Sequence, residues 1–378
     1  MSSEHYNTDD PPTLFVAGTR GGKAIGLDVS TIRPCGGVFV GRFKPSNTHG
    51  KEGELVAVKL VPDDKSRQPR NGRREAELLA KISHPNIIEL LNSYLEPKSI
   101  ASMNPRLTLF TPYYPYSLRQ LLDNPSFIPD HFPSFSDLAH SIAHQLLSAT
   151  AYLHEIRISH RDINPSNIVL SQDGRPILID FGIAVEAEDE QKGSQHFEVG
   201  TGPYRAPELV FASRSYDPAA IDLWALAATI SELFRPFASP DSTSPSSSSE
   251  EDDTYQKSED IGSRPVASRR QSLFTSGASD FVLSASIFKI LGTPTLDSWP
   301  EAKDLPNFSR FSFVSFPPTP LESHLPYLDT SSPLLQVLNS MLVCSASERM
   351  SAKEALGQLG ERPDFRIDLA TIAERDEE

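Results

Sequence analysis

Three things are scarce in this chain of 378 residues, and each scarcity removes a class of protein. Two cysteines, Cys35 and Cys344, are too few for a disulfide framework, so the chain reads as one made for a reducing compartment, cytoplasmic and/or nuclear. No apolar run approaches the ~20 residues of a membrane-spanning helix. The opening Met1-Ser2-Ser3-Glu4-His5-Tyr6 lacks the basic stretch followed by an apolar one that marks a secretory signal. Positive charge is short as well: 35 Lys and Arg stand against 50 Asp and Glu, and the net charge of −15 disfavours nucleic acid and anionic membranes as partners. What is present is an apolar fraction of 38 %, enough to bury one bilobal domain or two small ones, with no internal repeat.

Residues 1–25 are polar, and Asp9-Asp10-Pro11-Pro12 with Gly18, Gly21 and Gly22 offers no helical or strand period, which predicts a flexible lead-in. Strands are expected from Gly36 to Gly41 and from Leu55 to Val61, with a turn at residues 47–51. Lys59 sits among the apolar residues of the second strand, a costly place for an ammonium unless an anion meets it. A helical run opens at Arg74, where Glu75 shares the apolar face of Leu78 and Leu79 while Glu77 points elsewhere. Leu107-Thr108-Leu109-Phe110 reads as a strand ending in Thr111-Pro112-Tyr113-Tyr114. From Ser136, a candidate cap, to His154 the spacing of Leu138, Ile142, Leu146, Ala149 and Leu153 predicts an amphipathic helix. On it His140 and His144 have the spacing of a metal pair, but no further ligand cluster is near, and packing roles suit them better. Residues 219–234 form an apolar helix in which the lone Asp222 needs hydrogen-bond donors. Residues 238–272, with Ser-Pro pairs, a serine run and acidic residues, predict a disordered insertion. Its last four residues, Arg269-Arg270-Gln271-Ser272, match the short pattern of a basophilic phosphorylation site. Order is expected again at Phe281, and residues 362–378 read as an acidic tail or short terminal helix.

The most informative stretch runs from Ile158-Ser159-His160-Arg161-Asp162-Ile163-Asn164-Pro165-Ser166-Asn167-Ile168 to Asp180-Phe181-Gly182, whose Asp comes thirteen residues after Asn167. A polar loop with Asp and Asn, followed by an apolar strand ending in Asp, suits phosphoryl transfer: one carboxylate meets the incoming hydroxyl, and another with an amide holds the metal. This ordered set resembles the catalytic loop and magnesium-binding motif of protein kinases. The resemblance spans roughly residues 28–357 and rests on six ordered motifs. It implies an α+β bilobal fold, with a small β-rich N-lobe holding one main helix over residues 26–114 and a larger, mainly helical C-lobe over 115–361.

The same resemblance implies the site. Val56-Ala57-Val58-Lys59 matches the kinase Val-Ala-Ile-Lys pattern, so Lys59 would bind ATP phosphates and pair with a helix glutamate, Glu75, with Glu77 its neighbouring alternative. Gly36 and Val38 would be what remains of the glycine-rich loop, because Thr31 and Arg33 replace two of its three glycines; Arg33 either supplies charge there or points to solvent. Thr111 would be the gatekeeper, with the Pro112 carbonyl and Tyr114 amide meeting adenine. Asp162 would orient the substrate hydroxyl, Thr201 would brace Asp162, and Asn167 with Asp180 would bind Mg2+. Asp222 would accept hydrogen bonds from the catalytic-loop backbone, and Glu208 would pair with Arg349. At Asn164 the family carries a lysine touching the γ-phosphate; the neutral amide is expected to donate to phosphate or substrate instead.

Tyr204-Arg205-Ala206-Pro207-Glu208 and Leu291-Gly292-Thr293-Pro294 resemble the cyclin-dependent and MAP-kinase branch. His196 stands where such kinases carry an activating threonine, which leaves Arg161 in need of another anion. Glu186, Glu188, Asp189 and Glu190 are candidates, and a phosphorylated Ser194 is their rival. With no recognisable cyclin-binding helix sequence at residues 62–71, the chain is most similar to monomeric fungal CDK-activating kinases. That similarity implies a Ser/Thr kinase whose protein substrate is a cyclin-dependent kinase, acting as a monomer with a cyclin requirement doubtful. Thr31, Arg33 and Asn164 keep open a pseudokinase scaffold, and the branch motifs keep open a kinase for proline-directed sites.

Overall fold

Antiparallel backbone pairing organises the first part of the chain. The computed structural model describes residues 17–20, 23–35, 38–44, 55–62, 69–95, 106–187, 195–238, 269–277, 279–361, 364–366 and 369. They fall into two units, Met1–Ser83 with Ile88–Tyr113, and His84–Ile87 with Tyr114–Glu378. In the first, β1 (Ala17–Arg20), β2 (Lys23–Cys35), β3 (Val38–Lys44), β4 (Leu55–Pro62), β5 (Asn92–Leu95) and β6 (Arg106–Pro112) make one sheet in the order β1-β2-β3-β4-β6-β5. The expected lead-in is corrected from Ala17 onward, because Ala17 pairs with Gly26 and Arg20 with Lys23. Between those strands stand Gly21 and Gly22, the Gly-Gly pair that a two-residue hairpin connection favours, a signal that outranks the missing alternation. Gly36 and the expected turn at 47–51 lie outside the described residues.

The helix α1 (Gly72–Lys81) starts where the Asn71 side chain accepts the Arg74 amide at 3.1 Å, and it ends with Lys81 in its last turn. Its buried face carries Gly72, Glu75, Leu78 and Leu79. Gly72 is required there, since a Cβ would come within 2.7 Å of Val61 Cγ1.

The second unit holds β7 (Tyr116–Ser117), α2 (Leu118–Leu122), α3 (Phe135–Glu155), β8 (Ile158–Ser159), β9 (Ile168–Leu170), β10 (Pro176–Leu178), β11 (Val185–Glu186), α4 (Pro207–Val210), α5 (Pro218–Leu233), α6 (Asp280–Leu291), α7 (Pro333–Met341) and α8 (Ala352–Leu359). Small sheets β10-β9-β7 and β11-β8 frame the loop between β8 and β9. Residues His84–Ile87 belong here: Asn86 Nδ2 donates to Gln145 Oε1 and to the Pro176 carbonyl, both at 2.8 Å, and the Leu178 amide donates to the Asn86 carbonyl at 2.9 Å.

Helix α3 buries Leu138, Ile142, Leu146, Ala149 and Leu153, as their spacing predicts. It begins one residue before Ser136, so Ser136 is no cap; its hydroxyl lies 3.3 Å from His140 Nδ1. The other nitrogen of that ring reaches Ser332 Oγ at 3.0 Å, and among the described residues no group of three metal-ligating side chains occurs. Helix α5 is capped by Asp217 and buried all round from Ala220 to Leu233, which explains its unbroken apolar character. No helix among the described residues is long and apolar enough to cross a membrane.

Two expectations about the polar segments are corrected. The insertion expected over 238–272 is framed by structure at its far end. The Ala238 amide donates to the Arg269 carbonyl at 2.9 Å, the Gln271 amide to the Pro236 carbonyl at 3.1 Å, and Phe237 bridges Arg270. Residues 239–268 lie outside the described residues. Arg270 is 3 % exposed. Its guanidinium donates to the carbonyls of Leu122 (3.0 Å), Leu233 (3.1 Å), Arg235 (2.7 Å) and Phe127, and it lies 4.9 Å from the centre of the Phe237 ring. Two of those carbonyls close α2 and α5, where a cation satisfies groups that the helix leaves unpaired. A buried Arg270 cannot serve as a recognition residue for a basophilic kinase. The acidic tail is likewise anchored at one point, because Leu369 is buried and its amide donates to the Gln172 carbonyl at 2.9 Å.

Replacing Arg270 with Ala strands buried carbonyls, and the expected loss of stability is roughly 3–5 kcal/mol. Arg269→Ala, at an exposed side chain, stays within about 0.5 kcal/mol. Urea unfolding of the two variants measures the contrast.

Candidate active site

On the first unit, Lys59 stands in β4 opposite Leu109, and its Nζ lies 2.7 and 2.9 Å from the two carboxylate oxygens of Glu75. Glu75 is 3 % exposed, and a carboxylate that deep is tolerated because a counter-ion meets it. Glu77 is exposed, which settles the choice between the two acids. On the same sheet Thr111 pairs across to Ala57, Pro112 ends β6 opposite Val56, Val38 opens β3 opposite Cys35, and the Arg33 backbone is in register with Val40. Tyr114 begins the longer segment of the second unit.

On that second unit, the loop after β8 is shaped by a carboxylate on α5. Asp222, wholly buried, accepts the His160 amide at 2.7 Å and the Arg161 amide at 2.6 Å, one on each oxygen, with His154 Nε2 at 3.2 Å. Arg161 is left-handed, with φ 67°, a conformation that costs roughly 1–3 kcal/mol outside glycine and persists where the surroundings impose it. The Asp162 amide then donates to His160 Nδ1 at 3.2 Å, so the ring proton sits on Nε2 and is donated to the Ile179 carbonyl at 2.9 Å. The ring stands edge-on to buried Phe181, 4.7 Å between centres.

This frame presents an Asp162 carboxylate braced on both oxygens. One accepts from Thr201 Oγ1 at 2.6 Å and Asn164 Nδ2 at 3.0 Å; the other accepts from Asn167 Nδ2 at 2.9 Å. Burial raises the Asp162 carboxyl above its ordinary value, hydrogen bonds from Thr201 and Asn167 pull it down, and nearby Asp180 adds to the rise. Asp180 is also left-handed, φ 63°, with one carboxylate oxygen 3.3 Å from the Gly182 amide. The Ile179 amide donates to the Asn167 carbonyl at 2.9 Å, tying the two loops together. Because Asn167 spends its amide nitrogen on Asp162, the side-chain oxygen is the atom it presents. Together with the Asp180 carboxylate that makes a hard oxygen donor set of the kind Mg2+ takes alongside phosphate and water.

Asn164 departs from expectation. It is 2 % exposed, and its Nδ2 donates to the Asp162 carbonyl (3.1 Å) and carboxylate (3.0 Å). Its Oδ1 accepts the amides of Ser166 (2.9 Å) and Asn167 (3.3 Å), capping the short turn Pro165–Asn167. An amide on a one-carbon stem finds its partners within the loop, where turn amides need an acceptor.

The segment leading to Ala206-Pro207-Glu208 is tied by uncharged groups at residues 195 and 196. Arg161 donates to the Ile183 carbonyl at 2.7 Å and reaches the Tyr216 hydroxyl at 3.4 Å; that hydroxyl donates to the His196 carbonyl at 2.7 Å. Gln195 Oε1 accepts the Tyr216 amide at 2.8 Å. Glu186 lies in β11, while Glu188, Asp189, Glu190 and Ser194 fall outside the described residues. Farther along, Arg349 grips Glu208 bidentately at 2.7 and 2.6 Å and also donates to the Ala220, Val343 and Cys344 carbonyls. One cluster escaped sequence reasoning: Glu232, wholly buried on α5, accepts from Tyr204 (2.5 Å) and Arg119 (2.7 Å). Burial first, then Glu232, pushes the Tyr204 hydroxyl far up, so it stays a donor. A second acid besides Asp222 in an otherwise apolar helix was the available signal.

Asp222→Ala leaves two loop amides unpaired and is expected to destabilise by roughly 3 kcal/mol or more, measured by urea unfolding. Tyr216→Phe removes one hydroxyl bridge and is expected to cost about 1 kcal/mol in the same measurement.

Residues 45–359 match the family model for the protein kinase domain. The chain is 29 % identical over 310 residues to cyclin-dependent kinase 20 of Danio rerio, covering 82 % of this chain and 76 % of that one. With cyclin-dependent kinase 7 of Xenopus laevis it shares 29 % over 289 residues, 76 % of this chain and 66 % of the relative. Its structure is similar to a chain in a crystal structure of the yeast RNA Pol II CTD kinase CTDK-1 complex, at a TM-score of 0.65 and 25 % identity over 94 % of this chain and 98 % of the other. With the paired Lys59 and Glu75, the braced Asp162 and the buried Glu208 and Arg349, these likenesses agree: the chain belongs to the protein kinase family, as a cyclin-dependent-kinase-like serine/threonine kinase.

Proposed function

We propose that this kinase phosphorylates the activation segment of a cyclin-dependent kinase and that it acts as a monomer in the cytoplasm or nucleus. The observation that carries the catalytic part is the Asp162 carboxylate, held on both oxygens by Thr201, Asn164 and Asn167. A Ser or Thr hydroxyl oxygen attacks the γ-phosphorus of ATP, its proton passes to Asp162, and the bond from that phosphorus to the β–γ bridging oxygen breaks to release ADP. Lys59, kept in place by Glu75, would meet the α- and β-phosphates; Gly36 and Val38 would cover the nucleotide, and Thr111, Pro112 and Tyr114 would line its base. Asn167 and Asp180 would hold Mg2+, which neutralises charge on the phosphates. Arg161 and Tyr216 support the choice of substrate: residues 195 and 196 are tied by neutral contacts, so this chain has a means to hold its segment without a phosphothreonine of its own. A kinase that acts upstream of the cyclin-dependent kinases benefits from that independence.

The test is transfer of labelled γ-phosphate from ATP to a purified, unphosphorylated cyclin-dependent kinase. Asp162→Ala and Lys59→Met are each expected to lower turnover by roughly a thousandfold or more. Transfer only to proline-directed peptides would move the substrate to another class, a need for an added cyclin-like chain would remove the monomer, and no transfer by the wild type would leave a scaffold. Because burial raises Asp162 and a base must be ionised to act, activity falls as pH drops through that raised value. The acid limb of kcat is therefore expected above the ~3.9 of an ordinary Asp, measured as a pH profile on saturating substrate.

A further inference from the structure

Asn164 occupies the place where the family pattern sets a cation, and all its hydrogen-bonding capacity is used inside the loop. A primary amide offers two N–H donors and an oxygen with two lone pairs. Here the two donors go to the Asp162 carbonyl and carboxylate, and the oxygen takes the amides of Ser166 and Asn167. At 2 % exposure the side chain has neither surface nor valence left for a nucleotide. We infer that Asn164 is a positioning residue: it orients the Asp162 carboxylate toward the acceptor hydroxyl by bridging that carboxylate to the turn at Pro165–Asn167, and it makes no contact with ATP. The loop has exchanged a mobile charge for a rigid brace.

The bridge is the local one of the three that meet Asp162. Thr201 arrives from a distant segment, and Asn167 shares its amide nitrogen with the Asp162 carbonyl while its oxygen is assigned to the metal. Removing Asn164 Nδ2 withdraws one of the hydrogen bonds that fix the buried Asp162 carboxylate and leaves that side chain freer to rotate.

This inference rests on the proposed phosphoryl transfer. Its test compares wild type with Asn164→Ala and Asn164→Ser by kcat and by KM for ATP. For Asn164→Ala, kcat is expected to fall about tenfold, with KM for ATP within about twofold of wild type. Asn164→Ser keeps a short oxygen acceptor for the turn amides and loses the amide that bridges to Asp162. It is expected to melt close to wild type and to show the same loss of kcat, about tenfold, at a KM for ATP within about twofold of wild type. Should the alanine variant fail to fold, the serine variant decides alone. An unchanged kcat in a folded variant, or a KM for ATP raised tenfold, overturns the assignment. A wild-type protein without any transfer activity instead overturns the function on which it rests.

Discussion

One carboxylate, deep in an apolar helix, accepts two adjacent backbone amides, and the chemistry of the second unit hangs from it. Burying an ion costs several kcal/mol, and Asp222 offsets that cost through the His160 and Arg161 amides and the His154 ring. In return the loop is forced through a left-handed residue at Arg161. That bend sends the Arg161 side chain to Ile183 and Tyr216 and turns the next residue, Asp162, toward Thr201 and Asn167. The helix that carries Asp222 is buried all round, so the anchor cannot drift.

The same logic recurs at Lys59 with Glu75, at Arg349 with Glu208, and at Glu232 with Arg119 and Tyr204. Buried pairs of this kind add little net stability compared with well-packed apolar substitutes. Their value is geometric. Each permits one arrangement of long side chains and penalises the alternatives by several kcal/mol once a partner is lost. Arg349 shows the extent: besides Glu208 it satisfies three carbonyls, from Ala220, Val343 and Cys344, with one planar group.

Much of this was legible in the sequence where chemistry fixes residue types over a short span. The catalytic loop, the magnesium motif and the lone Asp222 declared their needs. Helical spacing favoured Glu75 over Glu77, which the ion pair with Lys59 then decided, and it placed the buried face of α3. What escaped were features whose signal is non-local or atomic. Residues 17–20 and 23–24, where the β1–β2 hairpin turns back, have backbone pairing but no apolar alternation in their sequence, which starts only at Ile25, Leu27 and Val29. Arg270 sits at the end of a serine-rich, acidic stretch, and the carbonyls it serves come from residues as far off as Leu122 and Phe127. Asn164 announced a missing charge, yet whether its amide faces a ligand or its own loop depends on the reach of a single methylene.

The bridge between Phe237 and Arg270 has a bearing on how this sequence can vary over time. The chain departs at Ala238 and returns at Arg269, where the amide of one meets the carbonyl of the other. For a flexible segment whose ends are fixed at one clasp, closure entropy grows only logarithmically, about 0.6 kcal/mol for each doubling in length. Residues 239–268 can therefore lengthen, shorten or exchange their composition at small thermodynamic expense to α5 and the loop it anchors. The clasp makes that span a place where sequence can change while α5, and the catalytic loop that its Asp222 anchors, keep their geometry.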